Sequence, residues 1–333
     1  MQTAKYFSVC CAATLLLLGC DEATSPEPAN TLKRAATPGI NIVELGVSGS
    51  AQSIAANGRI AGNAAGGPFV WSKGQVTYLD GPGNGSTATS INPSGTVAGY
   101  RGELSRAVVW DDGRVIELGV LPGTEWSSAQ GINAAGQVVG HSSHPDAWSH
   151  LFLWEKGVMK DLGSMPNYPA TNATDINAAA QIVGAASNGD TPRAFLLDNG
   201  VFQDLGTLPG GDGAGALAIN SNGQVVGWST IAVVGELRAF RWQNGVMTDL
   251  GTLPGGNDAL ATDINSSGEV VGYSNDANGE YHAVLWRNGV ITALGTLPGG
   301  RVSVANGIND RGDVVGFSGT ADRGNRAVLW RMK

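Results

Sequence analysis

From residue 40 onward the chain repeats one pattern of short apolar runs separated by turn residues. In its cleanest form the unit opens with Leu250-Gly251-Thr252-Leu253-Pro254-Gly255-Gly256 and continues through Ala261-Thr262-Asp263-Ile264-Asn265 and Gly268-Glu269-Val270-Val271-Gly272-Tyr273. It finishes with Ala283-Val284-Leu285-Trp286 and Asn288-Gly289-Val290. A marker isoleucine falls at Ile54, Ile91, Ile132, Ile176, Ile219, Ile264 and Ile308, in steps of 37, 41, 44, 43, 45 and 44 residues, which makes seven copies. Each copy carries four strand signals, rich in β-branched and aromatic residues and bounded by turn formers. Strand a is Ala-x-x-Ile. Strand b is a Val-rich run ending in glycine. Strand c ends in Trp71, Trp110, Trp154, Leu197, Trp242, Trp286 and Trp330, and strand d is a short run such as 245–250. Asn92-Pro93-Ser94-Gly95 after strand a fits a type I turn closed by a left-handed glycine. Asn199-Gly200, Asn244-Gly245 and Asn288-Gly289 between strands c and d are two-residue hairpin signals. Four antiparallel strands in roughly 40–45 residues are the unit of a β-propeller.

The ends of the repeat complement each other. The last copy stops after strand c, at Trp330, whereas residues 40–46 read as a strand d with no a, b or c before it. Pairing the two removes a lone edge. The expected fold is therefore all-β: a seven-bladed propeller of four-stranded blades over residues 39–333, closed by the N-terminal strand completing the last blade. An open β-solenoid is the alternative, and it leaves the spare strand unexplained. The run Leu-Gly-Thr-Leu-Pro-Gly-Gly, Ala-x-x-Ile-Asn, Gly-x-Val-Val-Gly and Ala-x-x-Trp-x-x-Gly resembles the HAF-type extracellular repeat across residues 40–333. Copies one and two depart from it, with Gly46-Val47-Ser48-Gly49 and Asp80-Gly81-Pro82-Gly83 in the loop. The resemblance implies an extracytoplasmic place and neither a substrate nor a chemistry.

The N-terminus points the same way. Lys5 precedes an apolar run from Phe7 to Leu18, too short to span a bilayer. It ends in Leu17-Leu18-Gly19-Cys20, which resembles the lipobox of bacterial lipoproteins. That resemblance implies a signal peptide over 1–19, with Cys20 as the lipidated residue that anchors the protein to the membrane. An ordinary secretory signal that contains a cysteine is the plainer alternative. Residues 20–38, rich in Pro, small residues and charges, read as a disordered tether. All three cysteines, Cys10, Cys11 and Cys20, lie in these segments, so residues 39–333 have no disulfide, thiolate metal site or Cys nucleophile. Glycine is abundant, at 50 of 333 residues, and charged residues make up only 14%. The net charge of −8 comes without a basic block, which argues against a nucleic-acid partner.

In a propeller the a–b and c–d turns share one face and the b–c and d–a loops the other. Here the first set is tight and repetitive and the second varies, so ligand recognition is expected on the b–c/d–a face. Trp126, Trp148, Tyr168 and Trp228 are candidate aromatic platforms for a glycan or protein ligand there. The recurring aromatics Tyr273 and Phe317 read instead as packing. His141, His144, Asp146 and His150 crowd one b–c loop and are a candidate metal set, although their spacing fits no standard signature and a solvated loop is the plainer reading. The recurring Asn133, Asn177, Asn220, Asn265 and Asn309 read as turn caps, and the strand-c Trp as core. No nucleophile elbow, His-Glu-x-x-His or phosphate loop is present, and no cofactor is implied. Asp175 and Asp263, each preceding Ile-Asn in strand a, are the carboxylates available to a polysaccharide lyase or glycosidase. The expected function is a monomeric, lipid-anchored binding or scaffolding module. A carbohydrate-active enzyme and a structural envelope protein are the rival readings.

Overall fold

A computed structural model describes residues 39–144, 148–233, 235–322 and 324–332. The expected signal peptide, Cys20 and tether, together with Asp146, lie outside the described residues. The described residues form strands and turns, with no helix.

Each copy is an antiparallel meander in the order a, b, c, d. Copies two, five and six form separate four-stranded sheets, such as Ala259–Ile264, Val270–Asn275, Tyr281–Arg287 and Val290–Ala293 in copy six. Copies three and four are joined by one parallel bridge between Ser149 and Ala170. Copies seven and one share the long first strand, Ile40–Ile54. Its first part pairs with Asn325–Met332, with Ile42 opposite Trp330. Its second part pairs with Ile60–Ala64, with Ala51 opposite Gly62.

The invariant glycine of strand b has a structural cause. Every strand a has a register shift just after its alanine, as between Ala216 and Ala218 or Ala261 and Asp263. That irregularity brings the strand-a carbonyl so close that a Cβ on Gly227 or Gly272 would stand 2.0 Å from the Gly215 or Leu260 oxygen. Only glycine tolerates this approach.

The core lies between neighbouring sheets. Ala218, Val226 and Ala239 of copy five pack with Ala259, Ala261, Ile264, Val284 and Trp286 of copy six. Ile54, Ile60, Phe69 and Trp71 of copy one pack in the same way with Val315, Ala327 and Leu329 of copy seven. The strand-c tryptophans are core, as their recurrence suggested. Trp286 and Trp330 also donate their indole N–H to the carbonyls of Gly251 and Gly295 in the preceding loop, at 3.3 Å each. The Leu-Gly-Thr-Leu-Pro-Gly-Gly loop is fixed from within and from the next strand. The Thr252 hydroxyl donates to the Gly256 carbonyl at 3.0 Å, and the Leu253 N–H donates to the Ser274 hydroxyl at 3.0 Å.

The recurring asparagines do more than cap turns. Asn220 Oδ1 accepts the N–H of Asn222 and of Gln224, both at 3.0 Å, which is the expected cap. Its Nδ2 then donates to the Asn265 carbonyl of the next copy at 2.9 Å. The same bond runs from Asn92 to Asn133, Asn133 to Asn177, Asn177 to Asn220, Asn265 to Asn309, and Asn309 to Ala55.

Candidate functional site

The b–c loop of copy three and the d–a loop that follows it come together. The Ser149 N–H donates to the Pro169 carbonyl at 3.0 Å, which ties the loop carrying Trp148 to the loop carrying Tyr168. The His144 N–H donates to the Trp148 carbonyl at 3.1 Å, closing the b–c loop on itself. The two rings then stack, with centroids 5.2 Å apart and planes inclined by 7°. His150 lies against the other aromatic neighbour of the set, 5.0 Å from Trp148 and tilted, and its Nδ1 sits 3.1 Å from the Asp161 carboxylate. Trp126 opposes Ser143 in the adjoining strand and is half-buried, as are Trp148 and Tyr168. Part of Tyr168 packs on the core that contains Leu151 and Ile176. The result is a polar-edged aromatic surface with a carboxylate at its rim. Such a surface can stack on the C–H face of a sugar while its edges take up hydroxyls.

Two expectations for this face are corrected. Trp228 is not a platform: it is fully buried, and its Nε1 has no partner. Room for it comes from Gly215 on the adjoining strand, where a Cβ would meet the indole at 2.7 Å. The other copies carry Ser50, Thr87, Ser128, Asn172, Leu260 or Val304 at that place, so the sequence did hold the signal, a large residue paired with a small one. The proposed metal set does not assemble among the described residues either. His141 turns inward, its Nδ1 buried without a partner, and burial pushes its pKa down to about 4. His144 is engaged by Trp148 and His150 by Asp161.

The equivalent loop of copy six brings together a group that sequence reasoning missed. Asp276, Glu280 and His282 place three potential metal-ligating atoms within 4.8 Å of one another. His282 occupies the repeat position of His150, and Asp276 that of His144, so the repeat alignment was the available clue. Here the group is internally satisfied. His282 Nε2 lies 3.2 Å from Asp276 Oδ2, and the Arg301 guanidinium sits on Glu280 at 2.5 Å. It is a polar strut of the loop, with the composition of a cation site.

Asp175 and Asp263 lie on the strand-a edge, and each joins two copies. Asp175 Oδ1 accepts the Ile176 N–H at 2.8 Å and Oδ2 the Ile219 N–H at 3.0 Å. Asp263 repeats this with Ile264 and Ile308, both at 2.8 Å. Burial raises their pKa values to about 6 and about 7, and the charges of Asp175 and Asp310 contribute to the rise at Asp263. With both oxygens of each carboxylate already accepting a main-chain N–H, neither is arranged as a free general acid or base.

No family model matches this chain, and comparison with the curated proteins finds no relative. Solved structures do match. A prolyl endopeptidase has a TM-score of 0.58 and 11% identity over 87% of this chain and 51% of its own. The Pyrococcus horikoshii acylaminoacyl peptidase has a TM-score of 0.53 and 12% identity over 84% of this chain and 51% of its own. The extracellular domain of a one-component system from B. thetaiotaomicron has a TM-score of 0.52 and 11% identity over 87% of this chain and 40% of its own. This chain is thus an all-β protein of propeller type that spans about half or less of each of these larger proteins.

Proposed function

We propose that this protein is an extracytoplasmic binding module of the HAF-type repeat kind, anchored through a lipid on Cys20, which takes a glycan on its b–c/d–a face. The observation that carries this reading is the stacked His144–Trp148 pair, flanked by His150 and Asp161, at the meeting of two variable loops. The repeat does not need these aromatics: Trp148 has Glu280 as its counterpart in copy six. In this reading the sheets close into a seven-bladed ring, with residues 40–48 as the last strand of the seventh blade. Two contacts support closure: the pairing of Ile42 with Trp330 and the bond from Asn309 to Ala55. The engagement of Asp175 and Asp263 by main-chain N–H groups weighs against the lyase or glycosidase reading.

The test is a tryptophan-fluorescence titration of the purified protein with envelope and plant-type oligosaccharides, repeated with Trp148→Ala. A saturable change is expected in the parent, weakened at least about tenfold in the variant, since an aromatic platform is worth roughly 1–3 kcal/mol in such contacts. Equal titrations in the two proteins, or no response to any glycan, would turn the reading toward a protein ligand.

A further inference from the structure

Copies seven and one meet at a seam whose a–b and c–d turns lie on the opposite face from the aromatic loops. A groove of about 740 Å³ opens there among the a–b and c–d turns. Its floor includes Trp71, and its walls bear Arg59, Lys73, Arg311 and Arg331 against one carboxylate, Asp313. This volume falls in the range of small-ligand sites, roughly 300–1,000 Å³. Lys73, Arg311 and Arg331 bring three cations to one groove in a chain whose net charge is −8, while the Arg59 guanidinium turns away and donates to the Ser94 carbonyl of copy two at 3.1 Å.

The repeat supplies an internal control. The corresponding groove between copies four and five, of about 530 Å³, is lined by Gln181, Gln203, Ser221, Asn222 and Asn244 among others, with no charged side chain. One cation of the seam, Arg311, is a departure from the repeat. Arg311 stands where the other copies have Asn57, Ser94, Ala135, Ala179, Asn222 and Ser267. Arg331 has a counterpart in Arg287, but that one is neutralised by Glu269 at 2.6 Å. Lys73 sits at φ 50, as Lys156 of copy three does at φ 51, where copies four to six place Asn199, Asn244 and Asn288, residues better suited to that left-handed turn. Recurrence in a repeat marks what the fold needs, so a charge that breaks the pattern and joins two others in one groove calls for another cause.

Asp313 does not cancel them. It lies 3.3 Å from Arg311 Nε and 3.9 Å from Arg331 Nε, and so orients two guanidiniums while leaving two positive charges in excess among Lys73, Arg311 and Arg331. Planar guanidiniums match the oxygens of a phosphate group, and an ammonium adds a further donor. We propose that this groove binds a phosphate-bearing ligand. The phosphate has two possible sources, a soluble phosphate compound or a lipid headgroup. The described residues begin beside the groove, with Asn41 opposite Arg331. The site itself does not depend on lipidation of Cys20 or on the glycan reading.

The experiment uses the purified full chain at low ionic strength, with two probes. One arm is calorimetric titration with inorganic pyrophosphate. The other is flotation with vesicles of phosphatidylglycerol and phosphatidylcholine, against phosphatidylcholine alone. Binding is expected in at least one arm, weakening as salt rises and falling at least about tenfold in Arg311→Gln/Arg331→Gln. Lys73→Asn restores the residue favoured in that turn, so it is expected to bind more weakly while melting no lower than the parent. That combination separates loss of a ligand contact from loss of fold. A response to pyrophosphate identifies a soluble source, and a response to anionic vesicles alone identifies the headgroup. Binding in neither arm, or binding that survives both variants, overturns the proposal.

Discussion

Trp228 shows how far a single residue can be read from its type. In the sequence it follows a strand-b glycine near a variable loop, like Tyr100 and His141, and an exposed platform is a reasonable expectation. Which way it faces is decided by Gly215, on another strand, which vacates the space the indole fills. The pair is therefore coupled. Gly215→Ala is expected to force the ring or the strand aside and cost about 1–3 kcal/mol, as overpacking of a close-packed core does. Urea denaturation of the variant measures it, and an unchanged midpoint would show that the ring has room to move. The unpartnered Trp228 Nε1 fits the same account: packing, not hydrogen bonding, fixed this side chain.

Strands and turns were legible in detail because each is a local decision. Asn-Gly at the c–d turns gave left-handed residues at Asn199, Asn244 and Asn288, as the hairpin type requires. The invariant strand-b glycine could be located but not explained, since its cause is a carbonyl brought close by an irregularity in a neighbouring strand. The recurring asparagine was half-legible. Its cap is local, between Asn220 Oδ1 and two N–H groups of its own turn, while its second bond reaches 45 residues ahead to Asn265. Asn220→Ala is thus expected to cost about 1–3 kcal/mol, since it strands buried donors and acceptors in two copies at once. Asn222→Ala, whose exposed side chain donates only to the Ser266 carbonyl, is expected to cost less than about 1 kcal/mol, and equal losses would argue against the inter-copy link.

Across the whole molecule, neighbouring sheets are held by packed side chains and by a small set of polar straps, among them the Asp175 and Asp263 carboxylates. Those straps make stability depend on pH. Both groups have pKa values raised above the ordinary 3.8, to about 6 and about 7, so their contribution is fully present below about pH 4 and fades as pH rises through 6 and 7. His141 acts in the opposite sense. Its pKa is lowered from 6.5 to about 4, so its contribution is present above pH 6.5 and lost as pH falls towards 4. The melting temperature is therefore expected to rise as pH is lowered from 8 to about 6.5, and to flatten below that as His141 opposes the acids. Asp263→Asn should flatten the upper limb. A limb of unchanged slope in that variant, followed by thermal melts at constant ionic strength, would remove Asp263 as its source.

The sequence by itself determined the number of copies, the four strands within each, the turn types, the buried strand-c tryptophans and the complementary ends. All of these follow from short-range periodicity and from turn residues with restricted backbone angles. It also marked Trp126 and Trp148 as unusual, because they do not recur in the repeat. Only the tertiary structure decided which unusual residues meet. It buried Trp228 and the Nδ1 of His141, stacked His144 on Trp148, spent both oxygens of Asp175 and Asp263 on main-chain N–H groups, and gathered Lys73, Arg311 and Arg331 around one groove. The physical reason is separation along the chain. Lys73 and Arg331 stand at opposite ends of the repeat, and no local pattern encodes a contact that exists only where the last copy packs against the first.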